Sequence, residues 1–560
     1  MSTPPSAAPG AEWWRTAVIY QIYPRSFADS DGDGVGDLRG VVERLPALAE
    51  LGIDAVWLSP CFASPQRDAG YDVSDYTRID PLFGTLEDFD RLVAAAHGLG
   101  IRVIADMVPN HTSADHEWFR EAVAAGPGAP EREHYIFRDG RGPDGDEPPN
   151  NWRSVFGGPM WDRLALPDGT PEQWYLHIFD SSQPDLNWEH PWVRERFEEI
   201  LRFWLDRGVD GFRVDVAHGM IKRAGLPDYT PPVGGASMGG DASEDEGEPY
   251  WGQPEVHEIW REWRAVVDEY DGDRVLCAEA WVGPLSKMAL WVRPDEMHQA
   301  FNFDHMFADW DALAQRRVID ESLAAFGAVG APATWVLSNH DVIRHASRLA
   351  LGADSPQGDG IGPNSPGRPD PVVGLRRARA ASALMLALPG GAYLYQGEEL
   401  GLPEAIDLPD EARQDPTWHR TGGKRYGRDG CRVPIPWEAD APAFGFSPTG
   451  ASWLPQPAEW AQLARDRQRG VPGSTLELYR AALRLRRARG LGAGSLRWLP
   501  TWSRSRVVVA FENAGVTVIA NLGRRPVTLP DGEILLESAA THIGANGRPM
   551  LPPDATVWLG

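Results

Sequence analysis

Cysteine is nearly absent from this chain: Cys61, Cys277 and Cys431 are the only three in 560 residues. An odd, widely spaced set without metal-ligand spacing excludes a disulfide framework and a thiolate-held metal. Basic charge is also short, with 54 Lys and Arg against 80 Asp and Glu, a formal net charge of -26 and a pI near 5.0. Almost every basic residue is arginine, and no basic cluster or tail appears, which excludes a partner held by its phosphate backbone. Apolar runs of membrane-spanning length are missing. The start, MSTPPSAAPGAEWW, lacks the charged opening and apolar middle of a secretory signal. These absences predict a cytoplasmic protein with no nucleic-acid and no membrane partner. What remains is a chain with 42% hydrophobic residues, enough for a large core and more than one domain. It also carries 24 tryptophans. Aromatic faces can stack on sugar rings, but tryptophan serves more often as core, so their number decides nothing alone.

One stretch is conspicuously acidic. In DSDGDGVGDL, Asp29, Asp31, Asp33, Val35 and Asp37 fall at alternate positions with Gly34 between them. A hard cation with oxygen ligands suits that spacing, which follows the calcium loop of EF-hands through its ninth position. The loop's last position is Gly40 where a bidentate Glu belongs, and YQIYPRSF upstream reads as a strand rather than a helix. The stretch is therefore read as a metal loop of another kind, weighed against a plain solvated acidic turn.

Short apolar runs recur with amphipathic helices between them. IDAVWLSP (53–60), IRVIAD (101–106), VDGFRVD (209–215), RVLCAE (274–279), ATWVLSNHD (333–341) and GAYLYQ (391–396) do not alternate polar with apolar. Such runs are strands covered on both faces, as in a parallel sheet. TLEDFDRLVAAAHGLG has Thr85 as N-cap, acids in its first turn and Phe89, Leu92, Val93 and Ala96 on one face. PWVRERFEEILRFWLDRG repeats the device with Val193, Phe197, Ile200, Leu201, Trp204 and Leu205. This alternation predicts a (β/α)8 barrel or an open doubly wound sheet. Residues 112–176 break it with Gly, Pro and Trp and read as a small insertion after the third strand. Residues 223–253, with an acidic stretch at 240–247, are a second long excursion. From 491 onward, RVVVAFE and TVIANL alternate between turns, as in a compact β domain.

Four runs end in a carboxylate: Asp106, Asp215, Glu279 and Asp341. Strand ends of this kind face one shared crevice or barrel mouth. Any one of the four is explained equally well as a helix N-cap, but four recurrences point to shared chemistry. With no Ser–His elbow and no phosphate loop, several acids at one mouth suggest acid and nucleophile work on a glycosidic bond.

Here the motifs meet a known family. YQIYPRSF, GIDAVWLSP, DMVPNH (106–111), QPDLN (183–187), GFRVD (211–215), AEAW (278–281), SNHD (338–341) and YQGEELG (395–401) appear in order. From about residue 13 to the end, the chain resembles the retaining α-amylase family of glycoside hydrolases, in its oligo-1,6-glucosidase and α-glucosidase branch. The resemblance implies a (β/α)8 TIM barrel, with an inserted domain B after strand 3 and a C-terminal antiparallel β domain. The boundaries expected are 1–111 and 177–490 for the barrel, 112–176 for domain B and 491–560 for the β domain.

The resemblance also implies roles. Asp215 would be the nucleophile, Glu279 the general acid/base, and Asp341 the group fixing the sugar's 2- and 3-hydroxyls. Arg213 would keep Asp215 ionised, while Glu279 would gain a raised pKa on closure of the pocket. Asp68, Tyr71, His111, His340 and Arg432 would surround the terminal glucose, with Asp68 and Arg432 gripping its 4-hydroxyl. Phe156 and Phe179 would stack on its ring, and Asp106 would be structural. RVPIPW around Arg432 departs from the branch's usual RTPMQW. Asp29, Asp31, Asp33, the Val35 carbonyl and Asp37 would hold one structural Ca2+, with Mg2+ as a competitor. DVAHGMIK has Ala217 where many α-amylases carry Lys before His218, which together with the pocket-closing pair Asp68 and Arg432 favours exo attack on short oligosaccharides. Val216 after the nucleophile leans toward α-1,6 linkages, yet the following Ala217-His218-Gly219 departs from the oligo-1,6-glucosidases, and linkage stays open between α-1,4 and α-1,6. The leading reading is a hydrolytic α-glucosidase. The alternative is a transglucosidase or sucrose isomerase on the same scaffold, though SRLALGADS (347–355) lacks the RLDRD-like stretch of sucrose isomerases. A catalytically silent sugar-binding relative is disfavoured by the complete set Asp215, Glu279 and Asp341.

Overall fold

The computed structural model describes residues 12–166, 168–230, 247–352, 360–545 and 547–560. Eight parallel strands share one sheet: β1 Val18–Ile22, β2 Ala55–Leu58, β3 Arg102–Met107, β4 Gly211–Val214, β5 Val275–Ala278, β6 Gln299–Ala300, β7 Thr334–Val336 and β8 Gly391–Tyr395. Ladders join β1 through β6 in chain order, and β8 lies between β7 and β1. At the seam between β6 and β7 no ladder is assigned, but the Asn302 amide donates to the Thr334 carbonyl at 3.2 Å. The sheet is thus an almost closed barrel rather than an open sheet. All but Arg102 of the residues in these strands are buried, as a barrel with side chains inside and helices outside requires.

The helices begin where local chemistry satisfies their first N–H groups. Asp37 caps Leu38–Leu51 (α1) by accepting the Gly40 N–H, and Gly52 ends it at φ 96°. Thr85 and Asp88 form a reciprocal capping box at the start of Leu86–Gly98 (α2). Pro191–Asp206 (α3) buries the stripe from Val193 to Leu205 that its spacing implied. β6 has only two residues and no apolar run of its own, so periodicity does not announce it.

Within 112–176, Phe137–Arg138, Trp161–Ala165 and Pro171–Leu176 make a three-stranded antiparallel sheet. Trp152, Phe156 and Trp161 of this segment cluster with Phe179 just beyond it, with Tyr250 and Trp251 from the end of the 223–253 excursion, and with Val216 of the barrel. Of the acidic stretch 240–247, only Gly247 lies within the described residues. Lys222 holds Asp185, whose backbone is bonded to Ile136 and Leu176 of the insertion. Its Nζ lies 2.7 Å from Asp185 Oδ2, 3.0 Å from Asn110 Oδ1 and 2.7 Å from the Gly219 carbonyl. Beyond residue 491, a five-stranded antiparallel sheet and a three-stranded one pack together. Trp558 ties them back to the barrel by donating to the Ala383 carbonyl at 2.9 Å. Fifteen of the 24 tryptophans are buried, so most of this residue's abundance serves packing. The three cysteines are buried and unbridged.

Candidate active site

At the carboxyl ends of the strands lies a cavity lined by acids, histidines and aromatic rings. Ten of the residues singled out in the sequence line it: Asp68, Tyr71, His111, Phe156, Phe179, Asp215, Val216, Glu279, His340 and Asp341. Asp215 follows β4 and Glu279 follows β5 directly, so neighbouring parallel strands deliver the two acids side by side. Arg213, buried in β4, gathers them: its Nη1 donates to Asp215 Oδ1 at 2.5 Å and its Nη2 lies 2.9 Å from Glu279 Oε2. The same Nη1 reaches Asp106 Oδ1 at 2.8 Å. Asp106 also accepts from Trp57 and Tyr71, each at 3.0 Å, and lies behind the cavity wall.

The backbone between the acids is strained. Val216 has φ 48°, an outlying conformation for a β-branched residue. Its amide donates to Glu279 Oε2 at 3.0 Å, so the strained residue ties the strand bearing Asp215 to the acid on the next strand. Trp281 donates to the other oxygen, Glu279 Oε1, at 3.0 Å.

Electrostatics divide the acids. Burial pushes the Asp215 carboxyl well above the ordinary range; Arg213 pulls it down, but Glu279, Asp106 and Asp341 push it up again. Arg213 thus offsets part of the cost of burying Asp215, while the neighbouring acids oppose it. Burial also pushes Asp106 up, to about 7, against Arg213. At Asp341 burial is outweighed by His340, Arg428, Arg432 and Arg213, which hold the carboxyl below its usual range. Burial lowers His111 to about 4 and His340 well below its usual value. At pH 7 His111 is neutral and acts through hydrogen bonds, not charge. The His340 ring lies flat between Tyr71 and Tyr23, with centroids 5.1 and 5.7 Å away.

One end of the cavity is shut. Arg428 Nη2 donates to Asp68 Oδ1 at 2.7 Å and its Nη1 to Asp341 Oδ1 at 3.1 Å, while its guanidinium lies 5.0 Å from the Phe156 ring. Arg420 and Arg425 from the same loop donate to the Gly157 and Val155 carbonyls of the insertion.

The catalytic-domain model described as alpha amylase matches residues 21–493, a span that contains this whole constellation. The chain belongs to the alpha-amylase family. Its class is that of a glycoside hydrolase. A probable alpha-glucosidase of Rhizobium meliloti (strain 1021) is 41% identical, the match covering 88% of this chain and 86% of that protein. An oligo-1,6-glucosidase of Heyndrickxia coagulans is 34% identical, with 85% of each chain covered. Among solved structures, an alpha-glucosyl transfer enzyme is 36% identical with a TM-score of 0.82, over 99% of both chains. The trehalulose synthase of Pseudomonas mesoacidophila MX-45 is 32% identical with a TM-score of 0.81, over 98% of this chain and 100% of the other.

In this alpha-amylase-family site one assignment moves. Arg432 does not meet Asp68. Its Nη2 donates to Asp341 Oδ1 and its Nε to the His340 carbonyl, both at 2.9 Å, from behind the cavity wall. Arg428 takes the place at Asp68. The two arginines are four residues apart about the turn Asp429–Arg432, so both face the same acids and the outer one reaches the cavity. The RDGCR spacing carried that signal. Trp251, Trp281 and His218 also line the cavity. His218 stacks on Trp251 at 4.5 Å, a pairing across 33 residues that spacing cannot reveal.

The acidic loop lies apart from these lining residues. Asp29, Asp31 and Asp37 each offer an oxygen within 4.8 Å of the others. Three carboxylate oxygens so close fit a hard cation. Asp33 stands outside that cluster, because its Oδ1 turns to accept the Val35 N–H at 2.8 Å. Asp29 also accepts from Gly32 and Gly34, so the loop's shape is partly self-supported.

Proposed function

We propose that this chain is a retaining, exo-acting α-glucosidase that releases glucose from the non-reducing ends of short oligosaccharides with α-1,4 and/or α-1,6 linkages. The observation that carries the reading is one guanidinium, Arg213, holding Asp215 and Glu279 together in a cavity whose other end is shut by Arg428. A shut end admits a chain terminus and not a chain middle. Relatives named alpha-glucosidase, maltase and oligo-1,6-glucosidase support the same class of substrate.

With Oδ1 engaged by Arg213, the other oxygen of Asp215 attacks the anomeric carbon. Glu279 gives its proton to the departing oxygen. The glycosidic C–O bond breaks as the ester to Asp215 forms, and Glu279 is left as a carboxylate. Water then loses a proton to Glu279 and attacks the same carbon, releasing Asp215 with net retention. Asp341 and His340 hold the ring hydroxyls, and Asp68 with Arg428 holds the far hydroxyl. A Ca2+ or Mg2+ ion on Asp29, Asp31 and Asp37 would cross-link the loop after β1 and take no part in the reaction. Transfer of the glucosyl group to a sugar in place of water is the second reading, favoured by the likeness to a glucosyl transfer enzyme.

The test is NMR of the first sugar released from maltose and isomaltose, with sucrose and trehalose alongside. α-Glucose is expected first, and a β-anomer would refute retention. New oligosaccharides in excess of glucose would select the transfer reading. Asp215→Ala should lower turnover about 1000-fold or more without unfolding the protein.

A further inference from the structure

We propose that Trp281 is a positioning residue for the general acid: its indole N–H holds Glu279 Oε1 as the oxygen that carries the transferable proton. The inference rests on the reading of Glu279 as acid/base and extends it to a neighbour to which no role has been given.

The two oxygens of Glu279 are not equivalent. Oε2 accepts the Val216 N–H at 3.0 Å and lies 2.9 Å from Arg213 Nη2. A proton on Oε2 would point at a fixed cation or compete with a backbone donor. Oε1 meets one neutral N–H, that of Trp281, at 3.0 Å, and a carboxyl oxygen so engaged keeps a second lone pair for a proton. The indole cannot swing away cheaply. Its ring lies flat on Phe303, with centroids 3.6 Å apart and planes 8° from parallel, and Phe307 borders it at 5.8 Å. Stacking fixes the plane, the plane fixes the N–H, and the N–H turns Oε1. Trp281 itself lines the cavity. In the first half-reaction Oε1 gives its proton to the leaving oxygen; in the second it takes one from water, so Glu279 returns to its starting state.

A neutral N–H donated to a carboxylate favours the ionised form. Its removal should make Glu279 a weaker acid and extend activity to higher pH. The other charged and titratable groups facing this carboxyl are Arg213, Asp215 and Cys277, and none is altered by a change at residue 281. Trp281→Phe keeps a flat ring on Phe303 and deletes the N–H. Its alkaline limb of kcat/KM on maltose should move up by about one pH unit. Phe303→Leu, which keeps the N–H but frees the indole, should move the limb the same way by less. Limbs unmoved in both folded variants, with only KM raised, would overturn the proposal and leave Trp281 as a stacking surface. Glu279→Gln separates the underlying reading: it should lose far more turnover on maltose than on α-glucosyl fluoride, whose departure needs no proton, and equal losses on the two substrates would overturn that assignment itself.

Discussion

Replacing Lys222 by Met tests how the segment around Asp185, which follows the insertion, is held to the barrel. The Lys222 side chain is 2% exposed, Asp185 is wholly buried, and the ammonium is shared by Asp185, Asn110 and the Gly219 carbonyl. Burial lowers the lysine's proton affinity, and Asp185 partly restores it. Met preserves the length of the chain but leaves Asp185 as an unpaired buried charge, a loss of about 3–5 kcal/mol. Unfolding entropy near 2.1 cal/mol/K per residue, taken over 560 residues, amounts to about 1.2 kcal/mol/K if the chain melts as one unit. The global Tm should therefore fall by only about 3–4 °C. Local damage should be greater. Asp185 bridges to His111 and shares the Asn110 amide, and Gly219 lies four residues from Asp215. Maltose hydrolysis should thus fail with rising temperature before calorimetry records unfolding. In Lys222→Met/Asp185→Asn neither partner is left charged, and at least half of the lost stability should return. A Tm within about 1 °C of the parent for the single variant, or strictly additive losses in the double, would refute the argument.

Arg428→Leu should cost about 10- to 100-fold in kcat/KM for maltose by removing the charged grip on Asp68 and Asp341, whereas Arg432→Leu should act mainly on stability; equal KM changes in both would overturn the exchange of roles. The same change bears on acid stability. At Asp415 burial is outweighed by Arg428 and Arg432, and the carboxyl falls from 3.8 to about 2. A carboxyl lowered on folding contributes stability above its unfolded pKa and loses it as the pH falls through the window from about 4 to about 2. Arg428→Leu should therefore unfold at a higher pH on the acid side, followed by circular dichroism. Chelation of divalent ions should lower Tm without changing kcat on maltose at a temperature where the fold persists, and an unchanged Tm in metal-stripped protein would remove the loop from the list of cation sites.

Much was legible before any coordinates. The six apolar runs are strands of one barrel because a strand covered on both faces cannot alternate, and the carboxylates that end them share a mouth because parallel strands point the same way. Capping chemistry is equally local: Thr85 with Asp88, and the stripe from Val193 to Leu205, can be read within a dozen residues. Alternation alone left a barrel and an open sheet both standing; the family resemblance chose the barrel, and the β8–β1 ladder and the seam at Asn302 show it.

Sequence by itself determined which residue types stand at the strand ends and how the chain alternates, because period and capping depend on near neighbours. Only the tertiary structure decided which arginine meets Asp68, which buried lysine holds Asp185, and that Phe303 stacks the indole facing Glu279. Asp68 and Arg428 are 360 positions apart. Such contacts depend on side-chain reach and burial between distant segments, quantities that exist only once the chain has closed on itself.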